Sequence, residues 1–324
     1  MNQKRAKFKK SSENPHKQKL SEKQKMGSAP KLIVILGPTG AGKTALSLKL
    51  AKKFNGVIVS ADSRAIYKEI NIGVAKPPKN SSIPHYMIDI ISLNQKFSLA
   101  QYQKLANQYI SEIIKKGQCP FLVGGTGLYL KSIISNYQIP KVPPDINLRK
   151  ILEKTALKYG PLYLYQILLY YDPKSKKFID PYNQRRIIRA LEVIFTTGHT
   201  FSDLRQSKKS KFDILKIGIN LPRQLLYKNI EERTDKMISQ GLVEETKKLW
   251  NTYPNNIILK NTLGYQEIIP FLENKIELEE AIKNIKKNTK NFARRQITWF
   301  KKEPNVFWLN NYKEAEKIIK KFLA

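Results

Sequence analysis

The residues with the most specific chemistry are Gly37-Pro38-Thr39-Gly40-Ala41-Gly42-Lys43-Thr44, which fit the pattern G-x-x-x-x-G-K-[ST]. Glycines in this pattern let successive backbone N–H groups turn inward as an anion nest. The helix that follows adds the field of its free N-terminal amides. Lys43 supplies a point charge for terminal phosphates, and Thr44 a hydroxyl for a magnesium ion. Such a loop holds a di- or triphosphate without saying which one, or what is done with it. A second stretch, Ser60-Ala61-Asp62-Ser63-Arg64, offers Asp62 as a base or magnesium partner. The same carboxylate could instead cap a helix beginning at Ala65. A third, Gly124-Gly125-Thr126-Gly127, sets a hydroxyl among glycines that permit close approach of a ligand; a tight turn explains those glycines equally well. Arg233 can reach phosphates, or pair with an acid on its own helix.

These residues need a scaffold that gathers them. Apolar runs at 32–36, 57–59, 121–123, 212–221 and 306–309 read as strands, and a short extended piece falls near 84–90. Helical spacing follows at 45–51, 98–116, 223–241, 242–250 and 278–301, with a helix after Gly264 and a short one at the end. Strands alternating with helices predict an α/β fold: a P-loop NTPase-like parallel sheet flanked by helices, with ligands at the carboxyl ends of the strands. The rhythm lapses from 137 to 210, where Pro140, Pro143 and Pro144 mark a boundary and helices are expected at 148–158, 163–169 and 183–196. The expected organisation is a core of 31–136 and 211–324, a helical insertion domain of 137–210, and a disordered basic tail of 1–30. Within the insertion, Gln184, Arg185, Arg186 and Arg189 lie on one helix, and Arg185 and Arg189 share a face. That stripe suits a phosphate backbone; a solvated charged face is the alternative.

Composition narrows the partners. The chain has 324 residues with 59 Lys and Arg against 26 Asp and Glu, a net charge of +33. This favours a polyanion such as nucleic acid, with part of the lysine excess attributable to AT-rich coding. One cysteine, Cys119, excludes an internal disulfide framework, and at the start of an apolar strand it reads as an inert buried thiol. Three histidines are too scattered for a metal cluster; His85 reads as structural. No run is long and apolar enough to span a membrane, and residues 1–30 lack the apolar centre of a signal peptide. A cytoplasmic monomer is expected. Trp299 and Phe300 read as core or interface aromatics. No acid ends the 121–123 strand, as it would in an ATPase motor. Asp62 lies where small-molecule kinases place a base, so group transfer from a pyrophosphate-bearing donor is the chemistry and a P-loop kinase the alternative.

Nine blocks in register resemble one family, the tRNA dimethylallyltransferases (tRNA isopentenyltransferases): GPTGAGKT at 37–44, SADSR at 60–64, IGVAKP at 72–77, PHYMID at 84–89, VGGTGLYLK at 123–131, DPYNQRRIIRALEV at 180–193, ERTDKMISQGLVEE at 232–245, LGYQE at 263–267 and NTKNFARRQITWF at 288–300. The resemblance covers about residues 31–310. It implies transfer of a dimethylallyl group from dimethylallyl diphosphate to N6 of the adenosine at position 37, in tRNAs reading codons that begin with U. Gly37 to Thr44 would hold the donor's diphosphate, with Mg2+ on Thr44. Asp62 would take the amine proton, Lys43 and Arg233 would stabilise the departing diphosphate, and Thr126 would lie by the flipped nucleotide. The anticodon stem-loop would be gripped by Asp62, Ser63, Arg64, Ala65, Thr126, Arg149, Gln184, Arg185, Arg186, Ile187 and Ile188. Ala65 stands where the family commonly has Gln, which leaves that contact open. No Cys–Cys–His–His cluster follows Leu309, so the bacterial type is expected, with an organellar form as the alternative.

Overall fold

The structure, a computed structural model, describes residues 29–74, 76–77, 81–140, 142–205 and 209–324. The expected basic tail lies almost wholly outside the described residues. Six parallel strands form one sheet in the order β3-β2-β4-β1-β5-β6, where β1 is Lys31–Leu36, β2 Gly56–Ser60, β3 His85–Tyr86, β4 Cys119–Gly124, β5 Asp213–Ile219 and β6 Val306–Leu309. In β1 the alternation of a pleated strand sends Leu32, Val34 and Leu36 into one apolar layer and Ile33 and Ile35 into the other. Both faces are therefore covered, which is why β1 reads as a continuous apolar run rather than an alternating one.

One face carries α2 (Leu99–Lys115) and α3 (Gly127–Ile134), following α1 (Lys43–Lys53) in the chain. Helix α2 starts where Ser98 and Gln101 close a reciprocal capping box, and it turns Tyr102, Ala106, Ile110 and Ile113 to the sheet. The other face carries α1. The insertion follows α3 as α4 (Ile146–Tyr159), α5 (Pro161–Tyr171), α6 (Gln184–Thr197) and α7 (Phe201–Leu204). The chain returns through β5 to α8 (Arg223–Ser239), α9 (Leu242–Thr252), α10 (Tyr265–Leu272), α11 (Leu278–Phe300) and α12 (Tyr312–Leu323). Helices α8 and α12 complete the second layer.

The insertion packs around its own apolar cluster, built from Leu152, Leu164, Leu168, Ile187, Leu191 and Ile194 among others, all between residues 148 and 201. Asp145 and Asn183 cap α4 and α6 through their side chains, which sets where these two helices begin. No helix among the described residues is long and apolar enough to cross a membrane. Cys119 packs against the second apolar layer, and burial pushes its thiol up to about 11, in keeping with an unreactive side chain.

Candidate active site and the insertion

Three strand ends and helices α8 and α11 converge on a cavity of 440 Å³. The end of β1 delivers Thr39, Lys43 and Thr44; the end of β2 delivers Asp62, Ser63, Arg64 and Ala65; the end of β4 delivers Gly125 and Thr126; helix α8 adds Arg233. This is the edge at which ligands bind in open parallel sheets.

The phosphate-type loop has the backbone its sequence requires. Gly40 and Gly42 sit at φ 79° and 83°, a left-handed region that glycine enters without strain. Gly42 caps α1 without any side-chain acceptor, so first-turn amides are left for a ligand. The Lys43 ammonium donates to the Pro38 carbonyl at 2.8 Å, folding across its own loop. Burial lowers its pKa to about 8; the Asp62 charge opposes that shift and the Arg233 charge adds to it. Arg233 donates to the Thr39 hydroxyl at 3.0 Å, and burial draws its guanidinium below the ordinary value. Arg233 thus faces the Gly37–Thr44 loop. Asn229, one turn earlier, donates to the Gly40 carbonyl at 3.1 Å and fixes the loop from the same helix.

Asp62 meets part of the capping reading and also lines the cavity. Its Oδ1 accepts from the Arg64 N–H at 2.8 Å and, more weakly, from the Ala65 N–H at 3.4 Å. Residues 63–66 then form a turn, not the helix expected from Ala65. Among the described residues Oδ2 accepts no hydrogen bond, so one carboxylate oxygen is structural and the other is open to the cavity. Ala65 is buried, so only its backbone takes part. Arg64 reaches the Asn261 carbonyl at 2.9 Å, and burial lowers its pKa. Across the cavity, the Thr126 hydroxyl accepts from the Ser63 N–H at 3.0 Å, so the glycine turn and the Asp62 segment are tied together.

The turn itself is packed to the limit. A Cβ at Gly124 would stand 2.2 Å from the Ala61 carbonyl oxygen, and one at Gly127 would stand 2.3 Å from Nε1 of Trp299. Trp299 is thus a packing residue despite 38% exposure, and Phe300 is buried in the core. Gln296, on α11, lies within the 288–300 block, whose match alone implies no role for it. It is 7% exposed, accepts from the Thr39 N–H at 2.8 Å, and donates to the Gly125 carbonyl at 2.8 Å. Its signal was a polar residue on the buried seam of α11, between Ala293 and Phe300.

The donor set suits a metal that arrives with its ligand. The described residues hold no group of three His, Cys, Asp or Glu able to cage an ion. The exposed Thr44 side chain and Asp62 line the cavity, which fits a hard cation taking its other oxygens from diphosphate and water.

The remaining expected contacts lie on the insertion, away from the cavity. Arg185 and Arg186 are exposed on the first turn of α6, and Gln184 is partly exposed. Ile187 and Ile188 are buried in the insertion's core, so their side chains cannot touch RNA. Arg189 does not extend the stripe of Arg185: it bonds Glu192 and donates to the Val142 carbonyl at 3.0 Å. Arg149 is likewise engaged, with two bonds of 2.8 Å to Glu192. A buried carboxylate must be paired, and pairing it turns two expected RNA contacts inward.

Comparison with known proteins agrees with this geometry. Residues 65–303 match the family model described as IPP transferase, and residues 30–85 match that described as isopentenyl transferase. The tRNA dimethylallyltransferase of Halothermothrix orenii is 44% identical over 300 residues, covering 90% of this chain and 92% of that protein. That of Dictyoglomus turgidum is 45% identical over 283 residues, covering 86% and 87%. The crystal structure of the tRNA isopentenylpyrophosphate transferase from Bacillus halodurans superposes with a TM-score of 0.67 at 37% identity, over 90% of this chain and 95% of that one. A eukaryotic dimethylallyltransferase acting on tRNA superposes with a TM-score of 0.80 at 28% identity, over 91% and 79%. With the phosphate loop, the Asp62 segment and the glycine turn assembled at one sheet edge, the chain belongs to the tRNA dimethylallyltransferase (IPP transferase) family.

Proposed function

We propose that this protein transfers the dimethylallyl group of dimethylallyl diphosphate to N6 of the adenosine at position 37 in tRNAs reading codons that begin with U. The observation that carries the reading is the gathering of Asp62, Lys43 and Arg233 around one cavity. The amine nitrogen attacks the allylic carbon while its bond to oxygen breaks. The bonding pair leaves with the diphosphate, and the amine proton passes to the open oxygen of Asp62. Lys43, Arg233 and the amides at the start of α1 stabilise the charge gathered on the leaving group. Thr44 would hold Mg2+, which would supply further neutralisation of that charge. Thr126 and Ser63 place the acceptor turn. The base must leave its stack to reach the site, at a cost of a few kcal/mol. Binding of the anticodon stem-loop by Arg64 and by the insertion domain of 137–210, through Gln184, Arg185 and Arg186, offsets that cost. The enzyme acts as a cytoplasmic monomer in this reading.

The test is a paired assay. Protein and magnesium are mixed with an unmodified anticodon stem-loop bearing A-A-A after the anticodon, with dimethylallyl diphosphate in one tube and ATP in the other. A gain of one C5H8 unit on the RNA, only with the prenyl donor, is expected by mass. Phosphate transfer from ATP would return the kinase reading, which the prenyl-transferase relatives do not favour.

A further inference from the structure

The two halves of the cavity are built on different strands, and one side chain joins them. Thr39 belongs to the diphosphate loop and Gly125 to the turn that ends β4. Gln296 spans both, its carbonyl accepting from the Thr39 N–H and its amide donating to the Gly125 carbonyl, each at 2.8 Å. These partners are 257 and 171 residues away in sequence, so no local structure holds them together. The fit leaves no slack. A Cβ at Gly125 would stand 2.5 Å from the Gln296 Nε2, so a side chain there would displace the bridge. One turn later on α11, Trp299 covers Gly127 in the same way. Beyond Gly125 the connection continues: Thr126 accepts from Ser63, whose neighbour is Asp62. On the other side, Thr39 also accepts from Arg233.

We propose that Gln296 is a positioning residue that couples the diphosphate loop to the acceptor-side turn, through Thr39 and Gly125. Glutamine is suited to this because one side chain must accept at one end and donate at the other, which neither a carboxylate nor an ammonium can do. The kinetic consequence rests on the transfer reading above; the coupling itself does not.

The test uses magnesium pyrophosphate as the probe of the loop and amide hydrogen exchange as the readout, with no reaction required. In the wild-type protein, pyrophosphate is expected to slow exchange in segments 37–44 and 122–130 together. In Gln296→Leu the protection stays in 37–44 and disappears from 122–130. Equal protection of both segments in the variant overturns the proposal, as does absence of protection at 122–130 in the wild type. Transfer kinetics give the second arm. Gln296→Leu loses about 10²-fold in kcat, as expected for a small misplacement of reacting groups, with pyrophosphate affinity far less affected. Gln296→Glu keeps the acceptor and, when protonated, regains the donor. Its kcat relative to wild type therefore recovers as pH falls from about 8 toward about 5.5, the side on which a buried carboxyl gains its proton. A ratio flat with pH overturns the proposal, and this arm decides it if the leucine variant does not fold. The transfer reading fails separately, by a wild-type protein that makes no prenylated RNA.

Discussion

The Ser63 amide donates to the Thr126 hydroxyl at 3.0 Å, a bond between segments 63 residues apart that come from the ends of β2 and β4. It sets the distance between the Asp62 carboxylate and the glycine turn. Thr126→Val removes the acceptor and leaves a partly buried amide without its partner, at a cost of about 1–3 kcal/mol. Transfer is expected to fall by roughly 10- to 100-fold, while Thr126→Ser keeps the hydroxyl and most of the rate. Steady-state kinetics on the stem-loop, with thermal melting as the control for folding, checks this.

Asp62 caps its turn and, in the proposed mechanism, is the base, two duties that substitution can separate. Asp62→Asn keeps a carbonyl oxygen for the Arg64 and Ala65 amides and removes the base. Turnover is expected to drop by about 10²- to 10⁴-fold with melting temperature and RNA affinity nearly unchanged. Asp62→Ala loses the turn as well, and its melting temperature falls below that of Asp62→Asn. A wild-type turnover in the asparagine variant would remove Asp62 from the role of base.

Lys43 gives the site a pH dependence. Its pKa is lowered to about 8, so the charged form that attracts diphosphate dominates below that pH and is lost above it. Pyrophosphate binding is therefore strongest below this value and weakens as pH rises through it. The ligand's own titration cancels in the ratio to Lys43→Ala, whose binding lacks this dependence. Calorimetry on both proteins, from about 1.5 pH units below that pKa to about 1.5 above it, measures the difference.

The cations of the insertion divide by partner. Arg185 and Arg186 are exposed at the start of α6, where a phosphate backbone can reach them. Their double alanine variant is expected to weaken RNA binding and to flatten its salt dependence by about 1.5, since each phosphate paired by a cation adds roughly 0.7–0.9 to the slope. Titrations of a fluorescent stem-loop at several salt concentrations measure that slope. Arg149→Ala and Arg189→Ala act on stability instead, because each removes a partner of the buried Glu192. A loss of about 1–3 kcal/mol by urea unfolding is expected for either, with the salt slope retained.

Glu192 also predicts how the insertion responds to acid. Burial raises its pKa, but hydrogen bonds from Arg149, Arg189 and the Asp145 amide outweigh that and hold it below the ordinary 4.5. A depressed carboxylate contributes stability above its unfolded pKa and loses it as pH falls through the folded one. Unfolding of the wild type is expected to ease below about pH 4.5, and Glu192→Gln to flatten that part of the profile. Circular dichroism melts from about pH 3 to about pH 7 test it.

Much of the site was legible along the chain because its parts are local. A glycine-rich loop after an apolar strand fixes both a backbone and a charge pattern within Gly37 to Thr44, and the same holds for the turn at Gly124 to Gly127. The parallel sheet followed from apolar runs alternating with helical spacing, since both faces of such strands must be covered. Legibility ended where a residue's role depends on a partner distant in sequence. Arg149 and Arg189 look like any surface arginine until Glu192 is found beneath them, and Ile187 and Ile188 read as part of a contact motif until α6 turns them into the insertion's core. Asp62 reads as cap or base, and the three-dimensional arrangement commits Oδ1 to the cap while Oδ2 accepts no hydrogen bond among the described residues. The sequence by itself determined the backbone of the glycine-rich loop and the layered fold, because these are written in local spacing and hydrophobic period. Which cations stand exposed on the insertion, and which side chain joins donor loop to acceptor turn, was decided only by tertiary structure, because hydrogen-bond partners such as Gln296 and Thr39 are chosen by proximity in space.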